Sequence, residues 1–311
     1  MGARARKEKM LDRQRVVLSR LERKHKDTLV VCPLCKVAFC PGCSLGPDGK
    51  MEEEHAPQKL YRGELPAARC LCCGSCNDDA HPYEHGAAPR IALRRANHSC
   101  RNFGAFTAAT SGLLLSSCAT SGTTRGHELA LDRLVLPMQI TDNERLVELK
   151  SALLIAFAAL GHTYVLGSGP DQVRAILARR QPPGRTCLSL PKQYAELGNR
   201  AVLVIDKPVP AILVLYPSPH CTSGMHAVLL PPAEHEGDFY RLWEMITASG
   251  SAIGVSEHHT WPEPRQLPFH WDECAGQHPR MKNCFGFELD ADTSVHYGWR
   301  HVLRPVASRA G

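Results

Sequence analysis

The chain has 311 residues, 43% of them apolar and 22% charged, with only 6% aromatic side chains, so its interior is expected to be aliphatic. No apolar run approaches the ~18 residues that cross a bilayer, which excludes a membrane span. The net charge of +6 is unevenly placed: residues 1–26 hold ten Lys/Arg against three Asp/Glu, a local +7 that leaves the rest near −1. A basic segment beside a near-neutral body points to a polyanion as partner.

At about 150 residues per domain the length predicts two domains. The start is polar and charged, so no secretory leader is expected and the location is read as cytoplasmic. The 14 cysteines are then read as metal ligands in preference to a disulfide framework, because many of them fall in C-x-x-C pairs.

Residues 5–26 are predicted as a basic helix, with Met10, Leu11, Val17, Leu18 and Leu21 on one stripe. Thr28 to Val31 is a short β-branched run that leads into Cys32-Pro33-Leu34-Cys35. A tight turn of this kind aims two thiolates at one point, and Cys73-x-x-Cys76 repeats the spacing. We therefore expect Cys32, Cys35, Cys73 and Cys76 to hold one structural Zn²⁺. Cys40 and Cys43 form another knuckle that could serve in place of Cys32 and Cys35. Cys70 and Cys72 have poor knuckle spacing, so a complete second site is not expected. Between the cysteine groups, Glu53-Glu54-His55-Ala56-Pro57 is read as lying on a loop.

The order C-x-x-C, then Glu-His-Ala-Pro, then C-x-x-C-Asn resembles the HNH endonuclease family of the zinc-bound type, over about residues 28–90. The resemblance implies a ββα-metal motif, with two strands, a loop and a helix around one divalent cation. It implies His55 as general base, a task that suits histidine's ordinary pKa near neutrality. Glu54 and Asn77 are implied as the ligands of the catalytic cation. Their oxygen donors suit a hard ion, Mg²⁺ or Mn²⁺. The implied partner is DNA. The family's middle asparagine would fall at Ala68 or Arg69, neither of which is Asn. His81 or His85 could also replace Asn77, although Pro82 predicts that any helix there is short.

Residues 86–101 are basic and irregular, read as a solvated linker or a continued nucleic-acid face. Several strands are expected over 103–140, a helix over 143–160 capped by Thr141 or Asp142, and a helix over 170–180 opened by Pro170. Ala201 to Ile205, Ala211 to Tyr216 and His226 to Leu230 read as an antiparallel meander, followed by a short helix over 238–248 and strand-like pieces near Phe285 to Leu289. His258, His259, His270, Cys274, His278 and Cys284 are spread through the C-terminal part, with helical spacing between His270, Cys274 and His278. The Pro268 and Pro279 that bracket them argue against a metal face there.

The expected organisation is thus a basic helical arm over 1–27, a zinc-stapled HNH-like domain over 28–100, and an α+β domain over 101–311. The expected fold class is α+β. The expected activity is metal-dependent hydrolysis of DNA phosphodiester bonds. A non-catalytic zinc ribbon that binds nucleic acid or protein is the alternative.

Overall fold

Helix α1 (Ala3–Arg13) turns Met10 and Leu11 inward and stops far earlier than the basic pattern predicts. Val16 and Val17 explain the stop. They are β-branched, favour extended backbone, and lie in β1 (Arg15–Val17), paired antiparallel to β2 (Thr28–Val31). The computed structural model describes residues 2–17, 28–36, 38–39, 51–59, 67–98, 104–107, 114–118, 123–126, 140–184, 186, 200–217, 225–235, 237, 241, 245, 254–261, 280–282, 287–290 and 303–305. Strand β3 (Ala38–Phe39) completes the first sheet, in the order β1-β2-β3.

The Glu-Glu-Glu-His stretch, expected on a loop, is strand β4 (Met51–Ala56). It pairs antiparallel with β5 (Ala68–Cys73), and the register sets Glu54 opposite Cys70 and His55 opposite Arg69. Glutamate disfavours strands. Here each of the three carboxylates meets a hydrogen-bonding or charged partner: Asn77 for Glu52, Arg69 for Glu53 and Lys150 for Glu54.

Helix α2 (Gly74–His98) starts directly from β5 and runs 25 residues, with Pro82 and Pro89 inside it. The short helix and irregular linker expected here are therefore corrected. An interior proline costs roughly 3 kcal/mol. Burial of Ala80, Tyr83, Ala87 and Ile91 along one helical stripe offsets that cost. Strands β6 (Gly104–Thr107), β7 (Leu114–Cys118) and β8 (Thr123–Gly126) form a three-stranded antiparallel sheet within the stretch where several strands are expected.

Helix α3 (Asp142–Leu160) is the element on which the core is built. Thr141 caps it through a capping box with Glu144, and Gly161 ends it at φ 77°, a conformation open to glycine. Nearly every residue from Glu144 to Ala159 is buried, so the helix is covered on all sides. It touches α2, β4 and β5, and it also touches the sheet that follows. Helices α4 (His162–Val165) and α5 (Ser168–Arg179) come next. The predicted meander is β9 (Ala201–Lys207), β10 (Ala211–Pro217) and β11 (Met225–Leu230), with β12 (Gly254–Thr260) added on the free side of β9. Strands β13 (Arg280–Lys282), β14 (Phe287–Asp290) and β15 (Leu303–Pro305) form a last antiparallel sheet. The class is α+β with antiparallel sheets, and one buried cluster extends from Met10 through α3 to Trp261. The helix expected over 238–248 falls largely outside the described residues.

Candidate metal centre

Four cysteines converge where β2, β5 and α2 meet. Cys32 and Cys35 come from the turn after β2, Cys73 ends β5, and Cys76 lies in the first turn of α2. Their sulfur atoms all lie within 4.8 Å of one another, and Cys35 and Cys73 are 3.6 Å apart. Four thiolates around a tetrahedral Zn²⁺ with Zn–S of about 2.3 Å sit roughly 3.8 Å apart. The donor set and its spacing therefore fit a metal such as zinc.

The turn is built for the purpose. Lys36 N–H closes it on the Cys32 carbonyl at 2.9 Å, and the Cys73 amide points at the Cys32 sulfur at 3.4 Å. Burial raises the Cys32 thiol, but hydrogen bonds from Cys35, Cys72, Cys73 and Cys76 hold it well below the usual thiol value. Cys72 moves the other way, raised by its hydrogen bonds to Cys32 and Cys70 and by burial. Cys70 is buried beside it as a free thiol. Cys40 and Cys43 lie outside the described residues, as do His270, Cys274, His278 and Cys284.

The knuckle is also anchored from outside. Lys36 Nζ donates to Asp171 at 2.6 Å and to the Leu166 carbonyl at 3.2 Å. Arg174 of α5 donates to the Pro33 carbonyl at 3.0 Å. On the other side, the Gln14 amide donates to the Leu71 carbonyl at 3.0 Å and accepts from its N–H, closing the free edge of β5.

Strand alternation sorts the remaining predicted residues onto two faces of the hairpin. Glu52 and Glu54 share the inner face. Asn77 donates its amide nitrogen to Glu52 at 2.7 Å. A carboxylate only accepts, so this bond fixes the amide and leaves the carbonyl oxygen as the atom Asn77 has to offer. Glu54 is buried; one oxygen accepts from the His55 N–H at 3.0 Å and the other from Lys150 Nζ at 3.2 Å. Lys150, on α3, is 2% exposed and also reaches Glu84 of α2 at 2.6 Å. Burial would lower Lys150, but the charges of Glu54 and then Glu84 outweigh it and hold the ammonium well above its ordinary value. The oxygen donors of Glu54 and Asn77 are of the type that binds Mg²⁺ or Mn²⁺. Both Glu54 oxygens are already engaged, by the His55 N–H and by Lys150, and Asn77 is tied to Glu52; no contact among the described residues joins Glu54 to Asn77.

His55 is on the opposite face, which it shares with Glu53 and the fully buried Met51. Its Nε2 is 3.6 Å from Glu53, whose carboxylate accepts from Arg69 at 2.7 Å. The adjacent Glu54 and His55 therefore point to opposite sides of the strand. His81 and His85 are exposed on α2, edge to face at 5.8 Å, and have no contact tying them to Glu54 among the described residues. In β12, His259 pairs with Glu257 at 2.9 Å.

Glu52, Glu84 and Lys150 are the site residues that sequence reasoning passed over. The signal for Lys150 was present: a single cation in Val147-Glu148-Leu149-Lys150-Ser151-Ala152-Leu153, a stretch apolar enough to be buried, needs an anion opposite it. No family model, curated protein or solved structure matches this chain. Among the described residues, no helix is long and apolar enough to cross a membrane.

Proposed function

We propose that the chain is a metal-dependent endonuclease of the HNH type that hydrolyses DNA phosphodiester bonds. The observation that carries this reading is the order of elements at the cysteine centre. Two antiparallel strands run straight into a helix, Glu54 and His55 lie on the first strand, and Asn77 lies in the first turn of the helix. That is the ββα order the sequence resemblance implies.

In this reading the zinc clip does no chemistry. It fixes the joint between β5 and α2 in a region with little apolar mass. A divalent cation, when bound at Glu54 and Asn77, supplies Lewis-acid stabilisation of the phosphorane and of the leaving oxygen. His55 is assigned the proton of the attacking water, a role that requires it to reach the cation's side of β4 from the opposite face it occupies here. The water oxygen bonds to phosphorus, the P–O bond to the leaving sugar oxygen breaks, and that oxygen takes a proton from solvent. Glu53 and Arg69 orient the imidazole on its own face. Glu52 orients Asn77. The basic helix α1 adds contacts to the phosphate backbone.

A second reading has its own observation. Glu54 is buried against Lys150, and His55 points to the opposite face, an arrangement that serves a zinc ribbon binding nucleic acid or protein without cutting. Plasmid cleavage with Mg²⁺ or Mn²⁺, run on zinc-loaded protein beside His55→Ala, separates the two. Metal-dependent nicking that disappears in His55→Ala supports the nuclease. Binding without cleavage at any concentration of either ion supports the ribbon.

A further inference from the structure

The turn that carries Cys32 and Cys35 ends on a residue out of place. Lys36 sits at φ 62°, in the left-handed region that glycine enters freely and a lysine only at a cost. Its side chain offsets that cost outside the turn, where Nζ donates to Asp171 at 2.6 Å and to the Leu166 carbonyl at 3.2 Å. Arg174 donates to the same carboxylate at 2.6 Å, and it grips the knuckle itself through the carbonyl of Pro33, the residue that follows Cys32. Two mostly buried cations, 15% and 10% exposed, thus share one carboxylate that is 48% exposed. Asp171 lies in the first turn of α5, so part of its charge is already met by the helix N-terminus. Positive charge is left in excess behind the knuckle, and desolvated charge is costly to keep unless an opposite charge stands near. The thiol cluster supplies it, because four thiolates outweigh the two positive charges of a divalent metal between them. Burial lowers Arg174 below its ordinary value, while Asp171 and, after it, the charge of Cys32 work against the fall.

We propose that Arg174 and Lys36, bridged by Asp171, are positioning residues of the metal centre: they hold the Cys32–Cys35 knuckle ready on α5 and set their positive charge against the negative charge of the metal and its thiolates. The inference rests on the four cysteines as a zinc site and is independent of the nuclease reading. Neither side chain supplies a ligand atom; each acts through the knuckle it holds. The other half of the site, Cys73 and Cys76, belongs to β5 and α2. The metal therefore joins the hairpin and α2 to a knuckle that α5 already carries, and the two cations set how tightly it does so.

The test uses the full chain, with zinc affinity read by competition with a chromophoric chelator and the thiolate-to-cobalt charge-transfer band read on Co²⁺-substituted protein. Removing an outer partner of a metal ligand typically weakens binding about 10- to 100-fold. Arg174→Met is expected to fall in that range and Lys36→Gly at its lower end, about tenfold. Arg174→Lys keeps the charge without the fork and is expected to recover part of the loss. In Arg174→Met and Lys36→Gly the cobalt band moves to longer wavelength, because thiolate electrons no longer held by a nearby cation are easier to transfer. Lys36→Gly is the sharper arm. Glycine suits φ 62° better than lysine does, so a turn that needed only its backbone shape would bind zinc as tightly as the parent or more tightly. That result overturns the proposal, as does parent affinity in Arg174→Met, an Arg174→Lys no better than Arg174→Met, or a cobalt band that stays in place while affinity falls. Should Arg174→Met fail to fold, Lys36→Gly decides alone. A parent chain that takes up neither Zn²⁺ nor Co²⁺ removes the metal site and the proposal with it. One that binds both, and is matched by every variant, keeps the site and loses only the role of the two cations.

Discussion

Strands β4 and β5 bury Met51, Leu71, two small alanines and a row of cysteines around a set of carboxylates, whereas β9 and β10 bury Val202, Leu203, Ile205, Ile212, Leu213, Val214 and Leu215, interrupted only by the partly buried Val204. Both pairs are antiparallel and both touch α3. The sheet excludes water chiefly with aliphatic side chains, with Tyr216 of β10 buried among them. The hairpin does so with polar groups, each of which must be matched: the four clustered cysteines to one another, Glu54 to Lys150, Leu71 to Gln14. Aliphatic burial adds stability with area and without direction. A core of matched polar groups depends on every partner, and fails by a large step when one is removed.

The largest expected effect follows from that difference. Removing zinc with a chelator, or making Cys73→Ser, withdraws roughly 10 kcal/mol of metal-linked folding energy. Amide hydrogen exchange is expected to speed up through β4, β5 and the first turns of α2 while β9, β10 and β11 keep their protection. If all of these exchanged together, the molecule would be one cooperative core and the contrast would be broken.

The next effect lies in the sheet. Leu213 has no exposed surface, and Leu213→Ala is expected to cost about 2–5 kcal/mol in urea unfolding. Its midpoint should shift by the same amount with zinc present or chelated; a zinc-dependent shift would show that the clip supports the sheet as well. The smallest effect sharpens the role of α3, which serves both regions. Thr141→Ala removes the oxygen that accepts from the Glu144 N–H, for a loss of about 1 kcal/mol, whereas Thr141→Ser should stay within a few tenths. A loss shared equally by probes in β5 and β10 would identify α3 as the common support.

Local patterns in the sequence were read well. The C-x-x-C spacings located the thiol cluster because a knuckle is defined within four residues. The helix over α3 and the meander β9–β11 followed from apolar runs and their breaks. What failed depended on distant partners. Glu52, Glu53 and Glu54 argued against a strand until Asn77, Arg69 and Lys150 were seen opposite them. Pro82 argued for a short helix because its cost is local and the burial of Tyr83 and Ile91 that offsets it is not. The basic stripe after Arg13 outweighed two valines whose pairing with Leu29 and Thr28 lies across a chain reversal. The placement of His55 on the face opposite Glu54 became legible only once the residues around it were known to be a strand.

Lys150 lies 96 residues after Glu54 and 66 after Glu84. During synthesis at ~5–20 residues per second, roughly 3–13 s separate the appearance of Glu84 from that of the lysine that answers it. Through that interval the cysteine clip, the hairpin and the start of α2 have all left the peptidyl transferase centre, while Glu54 and Glu84 still lack the ammonium they share in the folded chain. The order of synthesis therefore leaves these two carboxylates without their cation until α3 has been made, so the hairpin–α2 joint reaches its final charge pairing only when that helix docks.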